Sequence, residues 1–362
     1  MKHLRKFDSV SDMETALASA TIDILALAYN NGTPVAKIKE VEPTPPGPDP
    51  TIPFYIEDIS GSENTVQIMK NDDGAPTLTI EKSTDGETWE SMGSTSTTAI
   101  EATIPANGKL YLRCNTSAWG TANYFNKINT TANCNVGGNI MSLLYGSSFT
   151  GNETSFPSES SHTFRLLFVN NGRIVSAYDL LLPAATLVNY CYASMFNGCT
   201  ALTTTPTTLP ATTLADDCYN SMFRGCSALT TIPSLPATTL ANNCYSSMFY
   251  GCTSLTTAPT LPVTTLVNGC YWQMFYGCTS LTTAPDLPAT TLVPGCYQWM
   301  FRGCSHLNYI KCLATDISAT QCTYGWVQNV AATGTFVKDP NMSDWETGNN
   351  GIPSGWTVED AA

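Results

Sequence analysis

The sequence predicts a mixed α+β chain in three parts: an N-terminal helix–hairpin module, a β-sandwich, and a solenoid of ~26-residue turns. Three observations carry that expectation. A cysteine-anchored phrase recurs: CYSSMFYGCTSLTTAP at 244–259 returns as CYWQMFYGCTSLTTAP from Cys270 and is preceded by CYNSMFRGCSALTTIP from Cys218. Short alternating runs punctuated by turn residues fill 51–116. A proline-rich stretch, PTPPGPDP at 43–50, sets them apart from a short N-terminal segment.

Within 1–42, Ser11-Asp12-Met13-Glu14 has the S-x-x-E form of a capping box that opens a helix over 16–20. Apolar strands are expected at 22–29 and 34–39 around Asn30-Asn31-Gly32, a hairpin signal. A helix and a lone hairpin bury little, so the module is expected to dock on a larger partner or to pack back on its own chain. Leu4, Phe7, Met13, Leu17, Ile24 and Tyr29 are its candidate docking residues. Residues 43–50 form an extended, semi-rigid spacer.

Short strands are expected at 53–56, 65–69, 77–82, 88–91, 99–104 and 109–113, with a tight turn at Thr84-Asp85-Gly86-Glu87. Their spacing suggests a small immunoglobulin-like sandwich over 51–116. Asp72, Asp73 and Asp85 are read as solvated turn residues in preference to a cation site. Residues 117–160 lead into the repeats, and NVGGNIMSLLYG (135–146) reads as a strand or turn within them.

Cysteines 191, 218, 244, 270 and 296 begin five copies, and cysteines 199, 226, 252, 278 and 304 follow eight residues later in each. Fixed self-similarity at this period predicts a leucine-rich-repeat solenoid over 161–338, closed by a cap at 339–362. Degenerate copies flank it, with Leu167-Phe168 before and CTYGWV (322–327) after. Each copy is expected to hold two turns of helix, N-capped at Asp217 or Asn243 and stopped at Gly198, Gly225, Gly251, Gly277 or Gly303. Cys244, Tyr245, Met248, Phe249 and Cys252 would share its inner face. Two cysteines ~12 Å apart along a helix cannot bond. Helices of neighbouring turns at ~8–10 Å are also too far without distortion. Zinc needs convergent ligands, and the chain holds 3 histidines. Buried apolar core is the favoured role for the cysteines, ahead of disulfide or metal.

The formal charge of −13 is uneven. Residues 1–42 carry five basic against six acidic side chains, 43–160 five against thirteen, 161–338 six against five, and 339–362 none against five. No basic stripe suits a nucleic acid. The apolar stretch ILALAY is too short for a secretory core or a membrane span, so synthesis in the cytoplasm with reduced thiols is expected. No nucleophile–base arrangement, phosphate-cradling loop or H-E-x-x-H appears, so neither an enzyme nor a cofactor is expected.

Counting from each first cysteine, the third residue reads Ala193, Asn220, Ser246, Trp272, Gln298, and the seventh reads Asn197, Arg224, Tyr250, Tyr276, Arg302. These positions lie i, i+4 apart on the outer face of the expected helix. Tyr250, Trp272, Tyr276, Trp299 and Arg302 form the candidate exposed patch, suited to sugar stacking or to contact with another subunit. An outer face without a role is the third possibility.

The phrase MFxGCTSLTTAPxLPATTL resembles the leucine-rich-repeat subclass of Bacteroides and Treponema surface proteins, and GTFVKDP…GIPSGWTV (334–358) is similar to the cap that ends such arrays. The opening KHLRKFDSVSDMETAL…YNNGTPVAK resembles N-terminal segments of structural proteins in crAss-like and related Bacteroides phages. That resemblance implies a virion fibre, a head fibre in preference to a tail fibre, at the virion surface. Residues 1–42 would join it to the capsid or to other virion proteins, and the repeats would adhere to a host surface or gut glycans. A homo-oligomer, dimer or trimer, is implied, although no heptads set its order. A bacterial surface adhesin of the same repeat class is the alternative, and a glycan-degrading tailspike a third reading.

Overall fold

The structure, a computed structural model, describes the backbone of residues 3–6, 22–30 and 33–40 and all of residues 47–362 apart from 159, 160 and 344. The chain divides into two compact units, Met1–Gly47 and Pro48–Ala362. In the first, β1 (His3–Lys6) and β2 (Ile22–Asn30) both pair antiparallel with β3 (Thr33–Glu40), giving the order β1-β3-β2. The pairs Tyr29↔Pro34 and Asn30↔Thr33 bring the hairpin strands together. The helix expected over 16–20 lies outside the described residues. A helix–hairpin module is corrected to a three-stranded sheet, in which β1 gives the hairpin the third strand that independent stability requires.

The second unit opens with β4 (Tyr55–Asp58), β5 (Asn64–Lys70), β6 (Thr79–Ser83), β7 (Glu90–Ser94), β8 (Ile100–Ile104), β9 (Lys109–Cys114), β10 (Asn126–Thr130) and β11 (Cys134–Asn139). One sheet has the order β10-β5-β8; the other runs β11-β4-β9-β6-β7 and continues into the repeats through β12 (Ile174–Ser176) and β13 (Leu180–Leu181). Alternation places Val66 and Ile68 of β5 and Leu110 and Leu112 of β9 in a common core. Asp58 ties the strand ends together: its carboxylate accepts hydrogen bonds from the Gly61 and Asn107 amides at 3.1 and 3.0 Å and from Asn64 Nδ2 at 3.2 Å. Residues 117–160 contribute β10 and β11, the strands that face the first repeat.

The repeats hold the largest departure from the sequence-based expectation. Among the described residues the helical segments are α1 (Ser142–Tyr145) and a 3-10 turn at Gly146–Ser148, so the mixed α+β class is corrected to a nearly all-β chain. Each expected repeat helix is instead a ribbon of successive turns. Backbone φ is positive at every fourth residue: 51° at Asn243, 53° at Ser247 and 71° at Gly251, with the same pattern in neighbouring copies. Alternate amides divide their work. Those of Cys244, Ser246, Met248, Tyr250 and Cys252 bond carbonyls three residues back at 3.0–3.2 Å. Those of Asn243, Tyr245, Ser247, Phe249 and Gly251 donate to Asn268, Cys270, Trp272, Met274 and Tyr276 of the next coil at 2.7–3.1 Å. A helix would keep all these bonds within one coil. Asp217 and Asn243 therefore open turns at positive φ and do not cap helices, and the repeat glycines close turn ribbons.

Coil therefore stacks on coil. Inside, Tyr192, Tyr219, Tyr245, Tyr271 and Tyr297 form one column with successive ring centroids 5.8–6.1 Å apart. Phe196, Phe223, Phe249, Phe275 and Phe301 form a second at 5.5–5.9 Å. On the other side of each coil, parallel bridges such as Thr186↔Thr213, Thr213↔Thr239 and Thr291↔Asp316 link neighbours without forming long strands.

The hydrogen-bond ladder is closed at each end. The amides of Trp119 and Ile128 donate to Thr163 and Leu167 at 2.9 and 2.8 Å, standing in for a preceding coil. At the far end β14 (Tyr309–Cys312), β15 (Thr335–Lys338) and β16 (Thr357–Asp360) form a parallel sheet. There Asn350 Oδ1 accepts from the Gly325 amide at 2.7 Å, and Trp345 stacks on Trp326 at 5.6 Å. Among the described residues no helix is long and apolar enough to cross a membrane.

The ribbon geometry reverses an ordinary preference. In a helix interior Ala is more stable than Gly by about 1 kcal/mol; at the positive φ of Ser247, Gly is the less strained residue by about 1–2 kcal/mol. Ser247→Gly is therefore expected to exceed Ser247→Ala in stability by about 1 kcal/mol in urea denaturation. The opposite order would restore the helix.

Candidate functional site

Because the ribbon repeats every four residues, pairs of side chains point alternately in and out. The first, second, fifth, sixth and ninth residues of each phrase are buried, as Cys244, Tyr245, Met248, Phe249 and Cys252 are at 0–2% exposure. The third, fourth, seventh and eighth lie on the outer side of the ribbon, although Ala193, Ser221, Ser246 and Ser247 there are small and covered, and stacking aligns these positions from coil to coil.

The seventh-position column is continuous. The Arg224 guanidinium lies 4.2 Å from the Tyr250 ring centroid. Tyr250 and Tyr276 stack at 4.5 Å with an 8° interplanar angle. The Arg302 guanidinium then lies 5.7 Å from the Tyr276 ring. Each tyrosine thus has one face against a guanidinium and the other against its partner ring, so only ring edges and phenol groups look outward. The faces of Tyr250 and Tyr276 are therefore taken by side chains of the chain itself.

Trp272 and Trp299 meet at 6.1 Å, tilted by 38°, and Trp299 meets Tyr324 edge-on at 5.9 Å. Trp299 covers Gly325, where a Cβ would collide with the indole. Tyr324, at 48% exposure, leaves an aromatic ring open to solvent. Trp272 Nε1 and Ser246 Oγ, third-position atoms of adjacent coils, are buried without a hydrogen-bond partner among the described residues.

The structure thus joins all five proposed patch residues in two columns on one edge. Two participants were missed. Arg224 stands in the seventh position of its phrase, and Tyr324 is the third residue after the phase set by Cys322; aligning the degenerate copy with the others identifies it. Of the candidate docking residues, Leu4 lies on β1 and Ile24 and Tyr29 on β2, while Phe7, Met13 and Leu17 lie outside the described residues.

The cysteines face the interior. All fourteen are unpaired and buried. The second thiol of each phrase donates to the phenylalanine carbonyl of the preceding coil, as Cys252 Sγ does to Phe223 and Cys278 Sγ to Phe249 at 3.1 and 3.0 Å. Burial pushes the Cys244, Cys252 and Cys304 thiols up to about 12, so the reactive thiolate is suppressed. Backbone hydrogen bonds between coils also set a closer spacing than the helix packing assumed from sequence. Burial and these thiol–carbonyl bonds, more than distance, characterise the cysteines. No group of three or more His, Cys, Asp or Glu among the described residues could hold a metal ion.

The chain matches no protein-family profile, no curated protein and no solved structure, so the site is read from its own geometry.

Proposed function

We propose that the chain is a non-enzymatic phage virion fibre, a head fibre in preference to a tail fibre, that adheres through the aromatic edge of its repeats. Residues 1–42 attach it to the virion, and the stacked coils hold the adhesive edge outward. The observation that carries this reading is the edge itself: aromatic and guanidinium side chains aligned on a backbone fixed coil to coil by hydrogen bonds. The sequence resemblance of the opening segment to phage structural proteins supports the virion context. The closed ladder ends favour a stack of defined length over end-to-end polymerisation. A homo-oligomer, dimer or trimer, fits a fibre.

Immunogold labelling of intact particles with an antibody to residues 161–338 tests the placement. Label on the capsid is expected; label on the tail moves the fibre, and unlabelled particles overturn the reading. The adhesive role is tested with Trp299→Ala/Tyr324→Ala, which is expected to weaken host-cell binding by about tenfold through loss of open aromatic surface. Unchanged cell binding would remove this edge from adhesion.

A further inference from the structure

We infer that the Arg224–Tyr250–Tyr276–Arg302 column recognises an acidic saccharide, one bearing sulfate or carboxylate groups. The inference rests on the adhesive reading above and names its ligand class.

Stacking on a ring face uses the flat side of a guanidinium and leaves the N–H donors around its rim available. Neither Arg224 nor Arg302 makes an ion pair or donates a side-chain hydrogen bond to a described residue. Several other basic side chains are engaged: Arg113 pairs with Glu81 at 2.7 Å, Lys311 with Asp286 at 3.0 Å and Lys338 with Asp360 at 2.6 Å, while Arg165 Nη1 donates to the Ala122 carbonyl at 2.6 Å. Two guanidiniums are thus held by aromatic faces at the ends of one column, without a carboxylate to neutralise them. Within repeats that carry six basic against five acidic side chains, such a pair gives one place a positive potential that favours an anion.

The geometry also selects against a neutral sugar as the main ligand. A neutral pyranose is held chiefly by an aromatic face, and the faces of Tyr250 and Tyr276 are occupied. What this column offers is charge-assisted hydrogen bonding at two ends with phenol groups between them. Three coil steps at the ~4.8 Å spacing of hydrogen-bonded neighbours put the guanidiniums on the order of 14 Å apart, the reach of a short oligosaccharide. Three or four residues back along the ribbons, the Trp272–Trp299–Tyr324 column ends in the open ring of Tyr324. A pyranose can stack there while its acidic groups meet the arginines. This pairing of an open aromatic ring with free guanidiniums favours an acidic saccharide over an acidic peptide, for which the hydroxyl-rich centre has no special use.

The test uses the full chain, with sialyllactose and a 6-sulfated N-acetyllactosamine oligomer each compared with its uncharged parent by calorimetry. A poly-glutamate peptide serves as the protein-like anion. Acidic forms are expected to bind at least about tenfold tighter than their parents, the scale of one charge-assisted hydrogen-bonded contact. Arg224→Gln/Arg302→Gln is expected to remove that margin while lowering the thermal midpoint by only the few degrees that two cation–π contacts supply, and Arg173→Gln to leave it intact. Rising salt should weaken the acidic ligands alone. Equal binding of charged and uncharged forms, or acidic binding unaffected in the double variant, overturns the inference and leaves adhesion standing. Preference for poly-glutamate replaces the saccharide with an acidic protein. A chain that binds host cells but no acidic saccharide also overturns it; one that binds neither removes the adhesive reading as well.

Discussion

Treated with a thiol reagent at neutral pH, the native chain is expected to react at few of its fourteen cysteines, and all fourteen should react once guanidinium chloride unfolds it. Two physical effects act together. Burial denies the reagent access, and burial also disfavours the thiolate that would attack it. The same burial makes the fold sensitive to alkali. A thiol is neutral when protonated, and the Cys191, Cys244, Cys252, Cys296, Cys304 and Cys312 thiols rise from an ordinary value near 9 to about 12 in the folded chain. Below pH 9 folded and unfolded chains are both protonated, and the stabilisation is fully present. Between 9 and 12 the unfolded chain releases protons that the folded chain retains. Each such thiol then draws the equilibrium toward unfolding by ~1.4 kcal/mol per pH unit. Tyr219, Tyr245 and Tyr271, raised well above 10 by burial, extend the effect upward. Six thiols acting together exceed the ~5–15 kcal/mol stability of ordinary domains within one or two pH units. A cooperative loss of near-ultraviolet circular dichroism between pH 9 and 11 is the expected result. A native spectrum that survives pH 11, or thiolate absorbance that appears without unfolding, would show that the thiols are not enclosed as described.

Much of this arrangement was legible in sequence, and the limit has a physical cause. Alternation in Asn64–Lys70 marks a strand with one buried face, and the repeated phrase correctly groups its inward residues. Nine residues, however, span too little chain to separate a period of 3.6 from a period of 4. The spacing of Cys244, Tyr245, Met248, Phe249 and Cys252 at i, i+1, i+4, i+5 and i+8 fits the ribbon without drift. In a helix the eighth step is ~80° round, still within the broad arc that a buried helix face covers, so the pattern admits both. Positive φ would have betrayed the ribbon, but at the fourth position it falls on Ser194, Ser221, Ser247, Gln273 and Trp299, residues that do not announce it. The signature is carried instead by the eighth-position glycines and by Asp217, Asn243, Gly269 and Gly295 just before the first cysteines. The five patch residues stand out because they are large side chains at variable positions. Their stacking does not, since it depends on coil spacing set by hydrogen bonds between residues about 26 apart in sequence, such as Ser247 and Trp272. The blocked tyrosine faces follow from that spacing.

Phe249→Ala should lower unfolding stability by about 3–5 kcal/mol, the range for removing an enclosed aromatic side chain. Phe249 is 0% exposed and stacks against Phe223 at 5.8 Å and Phe275 at 5.7 Å. Its replacement opens a cavity shared by three coils. The backbone resists collapse into it, because the Phe249 amide donates to Met274 at 2.9 Å and its carbonyl accepts from Cys278 Sγ at 3.0 Å. Those bonds hold neighbouring coils at a spacing suited to the missing ring. In a quasi-one-dimensional stack the lost contacts weaken both adjacent interfaces, so unfolding should also become less cooperative. Tyr250→Ala, one residue later, removes a half-buried ring from the outer column and is expected to cost about 1 kcal/mol, the scale of a stacked pair with a cation–π contact. Chemical denaturation of the two variants thus measures the inward and outward sides of one ribbon directly. Equal losses would contradict the division between core and edge on which the proposed adhesive surface depends. A large loss at Phe249 with a small one at Tyr250 shows that the fold rests on the inner column and places little demand on the outer one.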